Sequence, residues 1–78
     1  MEKLNKIISR NLEIPEDKIA DDISYELESN WDSVTHLKMI AEIEEAFNIQ
    51  FDIDEIVDLE TVGKIKEQVA QKIKNEDN

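Results

Sequence analysis

Apolar side chains recur every three or four residues in three separate segments of this 78-residue chain. That spacing places them along one face of an α-helix, whereas a half-buried strand would alternate apolar and polar residues. The residues of the three faces are Leu4, Ile7, Ile8 and Leu12; Leu37, Ile40, Ile43 and Phe47, with Val34, Ala41 and Ile49 beside them; and Val62, Ile65, Val69 and Ile73. One glycine and one proline also leave few turn residues for a hairpin-rich β fold. The sequence therefore predicts an all-α protein.

Four helices and one long loop make up the predicted domain, a small four-helix bundle spanning residues 1–78. Three main helices and one short helix are predicted at residues 2–13, 33–48, 54–58 and 61–74, the short one being the third. Asn48 is expected to end the second helix in the left-handed conformation, and Thr61 to cap the last helix. A short helix is preferred to a strand in the third position, because a lone strand would have no partner.

The connection between the first two main helices, residues 15–31, is predicted to be a mostly irregular loop. Ile19, Ile23 and Leu27 recur every four residues within it, and we expect them to hold the loop against the core. A domain of this size buries only just enough surface to fold alone, so such anchoring contacts matter.

Negative charge is the strongest signal in the composition. Twenty acidic residues against nine basic ones give a formal net charge of −11. This charge repels nucleic-acid phosphates and anionic lipids and attracts basic protein surfaces. Residues 41–60 contain no lysine or arginine, and their acidic members are Glu42, Glu44, Glu45, Asp52, Asp54, Glu55, Asp58 and Glu60. The stretch is consistent either with a docking surface for basic partners or with an ordinary solvated face.

Several kinds of structure and location are disfavoured by what the chain lacks. It has no cysteine, which excludes disulfides and thiolate metal sites, and its one histidine excludes an all-imidazole site. The N-terminal segment lacks the apolar region of a signal peptide, and no apolar run is long enough to span a membrane. We therefore expect a soluble, cytoplasmic monomer with no nucleic-acid partner and no membrane span.

Two candidate sites, a calcium-binding loop and a hydrolase pair, fit the residues poorly. The segment "DIDEIVDLE" lacks the spacing of an EF-hand calcium loop, since Ile56 stands at a ligand position and Val57 at the glycine position. Ser33 and His36 lie one helical turn apart, as a nucleophile and its base could, but a small helical domain leaves little room for an oxyanion hole and a substrate pocket. His36 is expected instead to be a partly exposed surface residue.

Two non-catalytic functions remain open from the residues alone. An acidic protein-interaction module without a prosthetic group needs only the surface charge. Alternatively, Ser33 is modified by a phosphate-linked group, because a helix N-terminus presents unpaired N–H groups and the positive end of the helix dipole. Asp32 could then bind the metal of a modifying enzyme, or cap the helix itself.

The order and spacing of the motifs resemble the acyl carrier proteins, small helical bundles that carry thioesters on 4′-phosphopantetheine. The segment "WDSVTHLKMIAEIEEAF", residues 31–47, is similar to the family's Asp-Ser-Leu motif and to the amphipathic helix that follows it and ends in Glu-Glu-x-Phe. The segment "LETVGKIKEQV", residues 59–69, is similar to the Thr-Val start of the family's last helix. The resemblance covers about residues 3–74.

This resemblance implies a carrier that catalyses nothing itself. Ser33 would accept 4′-phosphopantetheine from coenzyme A, transferred by a magnesium-dependent phosphopantetheinyl transferase, and Asp32 would assist the transfer. The arm would carry an acyl or aminoacyl thioester, loaded by a ligase and passed to a downstream synthase or transferase. Val34 and Leu37 would border the mouth of an acyl pocket. The core residues that would part to hold an acyl chain are Ile40, Phe47, Ile56 and Val62.

Docking on basic partner surfaces is implied for Glu44 and Glu45, supported by Asp54 and Glu55. The sequence departs from the family beside this surface. Asn30 stands in place of a common glycine, Trp31 precedes the aspartate, and Val34 replaces leucine. Lys38 stands where fatty-acid carriers usually have glutamate. A reversed charge there should penalise partners that contact it with arginine or lysine by about 1 kcal/mol or more. These departures favour a specialised, discrete carrier over the housekeeping carrier of fatty-acid synthesis.

Overall fold

Four α-helices follow one another in the computed structural model, which describes residues 2–76. They are α1 (Glu2–Leu12), α2 (Ser33–Phe47), α3 (Ile53–Asp58) and α4 (Val62–Glu76), and a 3₁₀ turn (Glu16–Lys18) lies between α1 and α2. The all-α prediction is confirmed, and each predicted helix agrees with an observed one to within two residues at either end. Met1, Asp77 and Asn78 belong to the predicted domain span and lie outside the described residues.

One hydrophobic core collects the inner faces of α1, α2 and α4. The apolar positions of α1 are buried as their spacing predicted, as are those of α4, with Ile73 at the partly buried edge. Fully buried side chains in this core include Leu4, Ile8, Leu12, Met39, Ile43, Leu59, Val62, Ile65 and Val69. Burial of each large aliphatic side chain contributes about 1.5–3 kcal/mol, so this core is the main stabilising element of the domain.

The second helix buries only part of the predicted face, since Ile40, Ile43 and Ile49 are buried and Phe47 packs against the core, as predicted, but other predicted residues are exposed. Leu37 is 58 % exposed, Val34 is 76 % exposed and Ala41 is also exposed, so these residues do not join the core. The buried residues of α2 are His36, Met39, Ile40 and Ile43. His36 and Met39 are buried where Val34 and Leu37 were expected, and His36 has hydrogen-bond partners, Trp31 Nε1 and the Ile56 carbonyl, that a periodicity cannot reveal.

The long loop is held to the bundle through its backbone as well as its side chains. Ile19 and Ile23 pack against the core, as predicted. An isolated antiparallel bridge joins Ser24 to Thr61, and Val62 N donates to the Ile23 carbonyl at 3.0 Å. These contacts fix the middle of the loop against the start of α4.

The end of the loop is anchored by a residue that periodicity did not select. The predicted anchor Leu27 is 84 % exposed, and that prediction is wrong. A turn in which Glu28 N donates to the Ser24 carbonyl at 3.0 Å follows the bridge at once and carries Leu27 outward. Trp31 is 2 % exposed and takes over the anchoring role.

The predicted helix ends of α2 and α4 are confirmed. Asn48 ends α2 in the left-handed region with φ 55°, and Thr61 Oγ1 accepts from Lys64 N at 3.1 Å at the start of α4.

The six-residue helix α3 is stabilised by a capping box. The Asp52 carboxylate accepts from Glu55 N, and the Glu55 carboxylate accepts from Asp52 N, both at 2.9 Å. Lys72 of α4 donates to the same Glu55 carboxylate at 3.0 Å. A helix this short has little stability of its own, so these bonds hold it in place against α4.

The contact between α1 and α2 includes an acidic side chain with two partners on α1. Glu42 forms an ion pair with Arg10 and accepts a hydrogen bond from Asn11 at 3.0 Å. Partial burial acts to raise the pKa of Glu42, but the hydrogen bonds from Asn11 and Arg10 and the Arg10 charge outweigh it. The pKa of Glu42 therefore lies below its usual 4.5, and ionised Glu42 stabilises the folded state.

Replacing Glu42 with glutamine should lower the free energy of unfolding at pH 7 by less than about 1 kcal/mol, because the pair is partly solvated. A lowered folded-state pKa gives stability that is present above the unfolded value and is lost as pH falls through the folded one. The deficit of Glu42→Gln in urea denaturation should therefore disappear in acid.

Glu45→Gln is the matched control, since it removes the same charge from an exposed position of the same helix. An equal deficit in both variants at pH 7 would contradict a specific contribution from the partners of Glu42 on α1.

Candidate functional site

Ser33 is the first residue of α2, yet it does not cap that helix. The cap is Asp32, whose extended backbone precedes the helix and whose Oδ1 accepts from Thr35 N at 2.8 Å. The Ser33 side chain is exposed. Its hydroxyl can therefore react without loss of the bond that starts the helix.

The electrostatic surroundings of Ser33 combine an ionised neighbouring carboxylate with the positive end of a helix dipole. Hydrogen bonds from the Thr35 backbone N–H and side-chain hydroxyl lower the pKa of Asp32, so its carboxylate is ionised at neutral pH. The N–H groups in the first turn of a helix have no partner within the helix and lie at the positive end of its dipole. A phosphodiester on Ser33 would meet this favourable field, and Asp32 would remain available as a metal ligand for a modifying enzyme.

An apolar groove of about 410 Å³ opens beside Ser33, between α2 and α3. Its lining residues, which define the Ser33 groove, are Tyr25, Ser33, His36, Leu37, Ile56, Val57, Leu59 and Glu60. The volume is within the range of small-molecule sites in proteins. A flexible arm attached to Ser33 therefore has an apolar surface to lie against.

His36 lines the groove and is held by hydrogen bonds to two other segments, one of them to Trp31, which is not itself among the lining residues. Trp31 Nε1 donates to His36 Nδ1 at 2.9 Å, and His36 Nε2 lies 2.8 Å from the Ile56 carbonyl oxygen. An indole N–H can only donate, so Nδ1 accepts and the imidazole proton lies on Nε2, which donates to Ile56. The Tyr25 ring meets both rings edge-on, with centroids at 6.0 Å from Trp31 and 5.7 Å from His36.

The expectation that His36 lies partly exposed on the surface is wrong, because this side chain is only 8 % exposed. Both ring nitrogens are engaged, so neither is free to accept a proton from Ser33. A hydrolase pair of Ser33 and His36 is therefore incompatible with the observed hydrogen bonds.

Exposed apolar side chains border the groove on both helices. Val34 and Leu37 of α2 are exposed, as the resemblance implied. Ile53 and Val57 of α3 are 77 % and 69 % exposed and were not selected from the sequence. Ile53 and Val57 are four residues apart and therefore lie on the same face of α3, the one opposite to the core. This spacing was the signal in the sequence that could have identified them as an exposed apolar pair.

The predicted docking residues divide into two groups. Lys38, Glu45 and Asp54 are exposed. Glu44 and Glu55 are partly buried and have internal partners, since Glu44 Oε2 accepts from Phe51 N at 2.8 Å and Glu55 binds Lys72. The structure thus gives these two glutamates a role in holding α3 and the segment before it.

Among the side chains that the structure describes, those of residues 2–73, there is no cluster of three or more acidic or histidine residues that could hold a metal ion. Each helix within residues 2–76 is also too short or too polar to cross a membrane.

Comparison with known proteins places these features in a family. The family model described as "Phosphopantetheine attachment site" matches residues 2–69. An acyl carrier protein of Lactobacillus johnsonii is 27 % identical over 67 residues, which cover 86 % of this chain and 84 % of the relative.

Proposed function

The chain belongs to the family of phosphopantetheine-binding acyl carrier proteins, and we propose that Ser33 is the residue that bears its 4′-phosphopantetheine. The protein is a carrier with a covalent prosthetic group and is not itself an enzyme. The attachment residue is inferred from the surroundings of each serine in the chain.

Only one of the four serines combines exposure with a helix N-terminus. Ser9 donates to the Ile14 carbonyl, and Ser24 accepts from Leu27 N, and both are partly buried. Ser29 is exposed but lies in the loop. Ser33 alone among them is exposed, starts a helix and lines an apolar groove. This combination is the observation that carries the proposal.

The attachment step uses the Ser33 hydroxyl as a nucleophile. Its oxygen forms a bond to the phosphorus of the phosphopantetheine moiety of coenzyme A, the phosphoanhydride bond breaks, and adenosine 3′,5′-bisphosphate leaves. The hydroxyl proton passes to the phosphopantetheinyl transferase or to solvent. Asp32, ionised and adjacent, would contribute a ligand to the magnesium ion that the transferase uses.

The attached arm supplies a thiol that holds an acyl or aminoacyl group as a thioester. We propose that a ligase loads this thiol and that a synthase or transferase removes the cargo. The net charge of −11 favours partners with basic docking surfaces and speeds their encounter with the carrier.

We propose a docking face around Ser33, formed by the exposed residues Val34, Leu37, Lys38, Ile53, Asp54 and Val57. Exposed apolar side chains grouped beside a reactive residue are typical of a protein–protein contact. Glu45 extends the face along α2 with negative charge, whereas Lys38 adds a positive charge. A partner of this carrier therefore needs an acidic or neutral group opposite Lys38, which favours a dedicated pathway.

Ser33→Ala should abolish modification while leaving the fold intact, because Asp32 retains the cap. Incubation with coenzyme A, magnesium and a broad-specificity phosphopantetheinyl transferase should add one phosphopantetheine to the intact mass of the wild type. Ser29→Ala, which removes an exposed hydroxyl four residues away, should gain the same mass. A mass increment on Ser33→Ala would overturn the assignment, provided that circular dichroism shows a helical protein.

Leu37→Ala should slow the transferase reaction, because it removes an exposed apolar side chain next to the attachment site. Truncation at the centre of a contact costs about 1–2 kcal/mol, or roughly 5- to 30-fold in kcat/KM. Leu27→Ala is the matched control, since Leu27 is even more exposed but lies outside the docking face. Equal rates for the two variants would remove Leu37 from the face.

A further inference from the structure

Helix α3 lies between two clefts. The Ser33 groove is on the side of α2, and a second cleft of about 400 Å³ is on the side of α4. The second cleft is lined by most of α3 and, on α4, by Lys64, Glu67 and Gln68. No residue of α3 is buried, although Ile56 is partly buried and packs against the core. Apolar packing therefore holds α3 less firmly than it holds the three longer helices.

The two ends of α3 are fixed by neighbours in the core. Phe51, two residues before the helix, and Leu59, directly after it, are both buried. The six residues between them cannot leave the domain, but they can lose helical order, because a helix this short does not persist alone in water. The position of α3 between its fixed ends therefore depends on its polar bonds.

Among the described side chains, two outside α3 and its cap donate hydrogen bonds to it. His36 of α2 donates to the Ile56 carbonyl at 2.8 Å. Lys72 of α4 donates to Glu55 Oε1 at 3.0 Å and lies 2.9 Å from Glu55 Oε2. The bond from Lys72 is the largest cause of the lowered pKa of Glu55, followed by the bond from Asp52 N. Lys72 thus binds, in its ionised form, the glutamate that also closes the capping box of α3.

The surroundings of Lys72 favour this bond over the exposed ion pairs of the chain. Its ammonium nitrogen lies 5.1 Å from the centre of the Phe51 ring, within the range of a cation–π attraction. Its side chain is 22 % exposed, so water competes less for it than for Lys64, which pairs with Glu60 at 3.8 Å and is 47 % exposed.

We propose that Lys72 is a positioning residue for the docking face: through Glu55 it holds α3 so that Ile53, Asp54 and Val57 stand beside Ser33 when a partner binds. Lys72 does not line the Ser33 groove, so it acts through α3. Without its bond, the apparent affinity of a partner falls in proportion to the time that α3 is out of place. This inference rests on the proposed function, because the docking face surrounds Ser33.

Lys72→Met tests the inference, since it keeps an unbranched chain against Phe51 and removes the ammonium group. The ¹³Cα chemical shifts of residues 53–58 should move towards coil values, while the methyl resonances of Ile8 and Ile65 in the core stay unchanged. In the reaction with coenzyme A, magnesium and a broad-specificity phosphopantetheinyl transferase, KM for the carrier should rise about threefold if α3 is in place one-third of the time, with kcat unchanged.

Lys66→Met is the matched control. It removes the same charge from the same helix, and Lys66 is similarly enclosed at 27 % exposure, but its partner is Asp21 of the loop at 3.3 Å. Both KM and the α3 shifts should stay at the wild-type values in this variant. Lys72→Arg, which retains the charge, should restore most of the wild-type KM. An equal rise in KM for Lys72→Met and Lys66→Met would overturn the inference, because only net charge would then matter.

Two further outcomes separate this inference from the proposed function. If the wild type gains no phosphopantetheine on Ser33, the proposed function fails, and the docking role of Lys72 fails with it. If the wild type is modified but Lys72→Met has the wild-type KM, only the role of Lys72 is overturned. Glu55→Gln keeps an oxygen that can accept from Asp52 N and loses the charge that binds Lys72, so it gives the same comparison if Lys72→Met does not fold.

Discussion

The hydrogen-bonded connection from Trp31 through His36 to Ile56 holds together three segments that have little stability of their own. The loop before α2 is mostly irregular, and α3 has six residues, too few for a helix to persist alone in water. Trp31 ends the loop, His36 lies in the second turn of α2, and Ile56 lies in the middle of α3. The bond from His36 to Ile56 joins α2 to α3 beside Ser33, and the bond from Trp31 to His36 joins the loop to α2.

A second constraint separates the start of α2 from the chemistry at its first residue. Asp32 supplies the cap and remains ionised, so the hydroxyl of Ser33 is left for reaction. At the start of the same helix the polar His36 faces inward and the apolar Val34 and Leu37 face outward, the reverse of the ordinary amphipathic pattern that the rest of the helix follows. This reversal provides both the wall of the groove and the apolar rim of the docking face. The acidic residues fall into two groups. Glu42, Glu44 and Glu55 have partners within the protein, whereas Glu45 and Asp54 are exposed at the surface.

The sequence predicted the helices well because each has a clear period or a clear end signal. The faces of α1 and α4 followed from spacing alone, and Asn48 and Thr61 ended and began helices as their side chains favour. The face of α2 followed in part, since Ile40 and Ile43 are buried as predicted, but His36 and Met39 are buried where Val34 and Leu37 were expected, and the partners of His36 cannot be inferred from spacing. Trp31 was noted as a departure from the family, but its partner could not be inferred without the fold. Leu27 was misplaced because a backbone turn, invisible to periodicity, intervenes.

The position of the prosthetic group on the unmutated chain tests the account most directly, because no substitution can then disturb the fold. Tandem mass spectrometry of proteolytic peptides from the modified protein measures it. The account predicts that the phosphopantetheine is found on the peptide containing residues 29–38, with fragment ions that assign it to Ser33 rather than to Ser29. Assignment to any other residue would contradict the account, since neither the free hydroxyl at the start of α2 nor the groove beside it would then have a part in holding the arm.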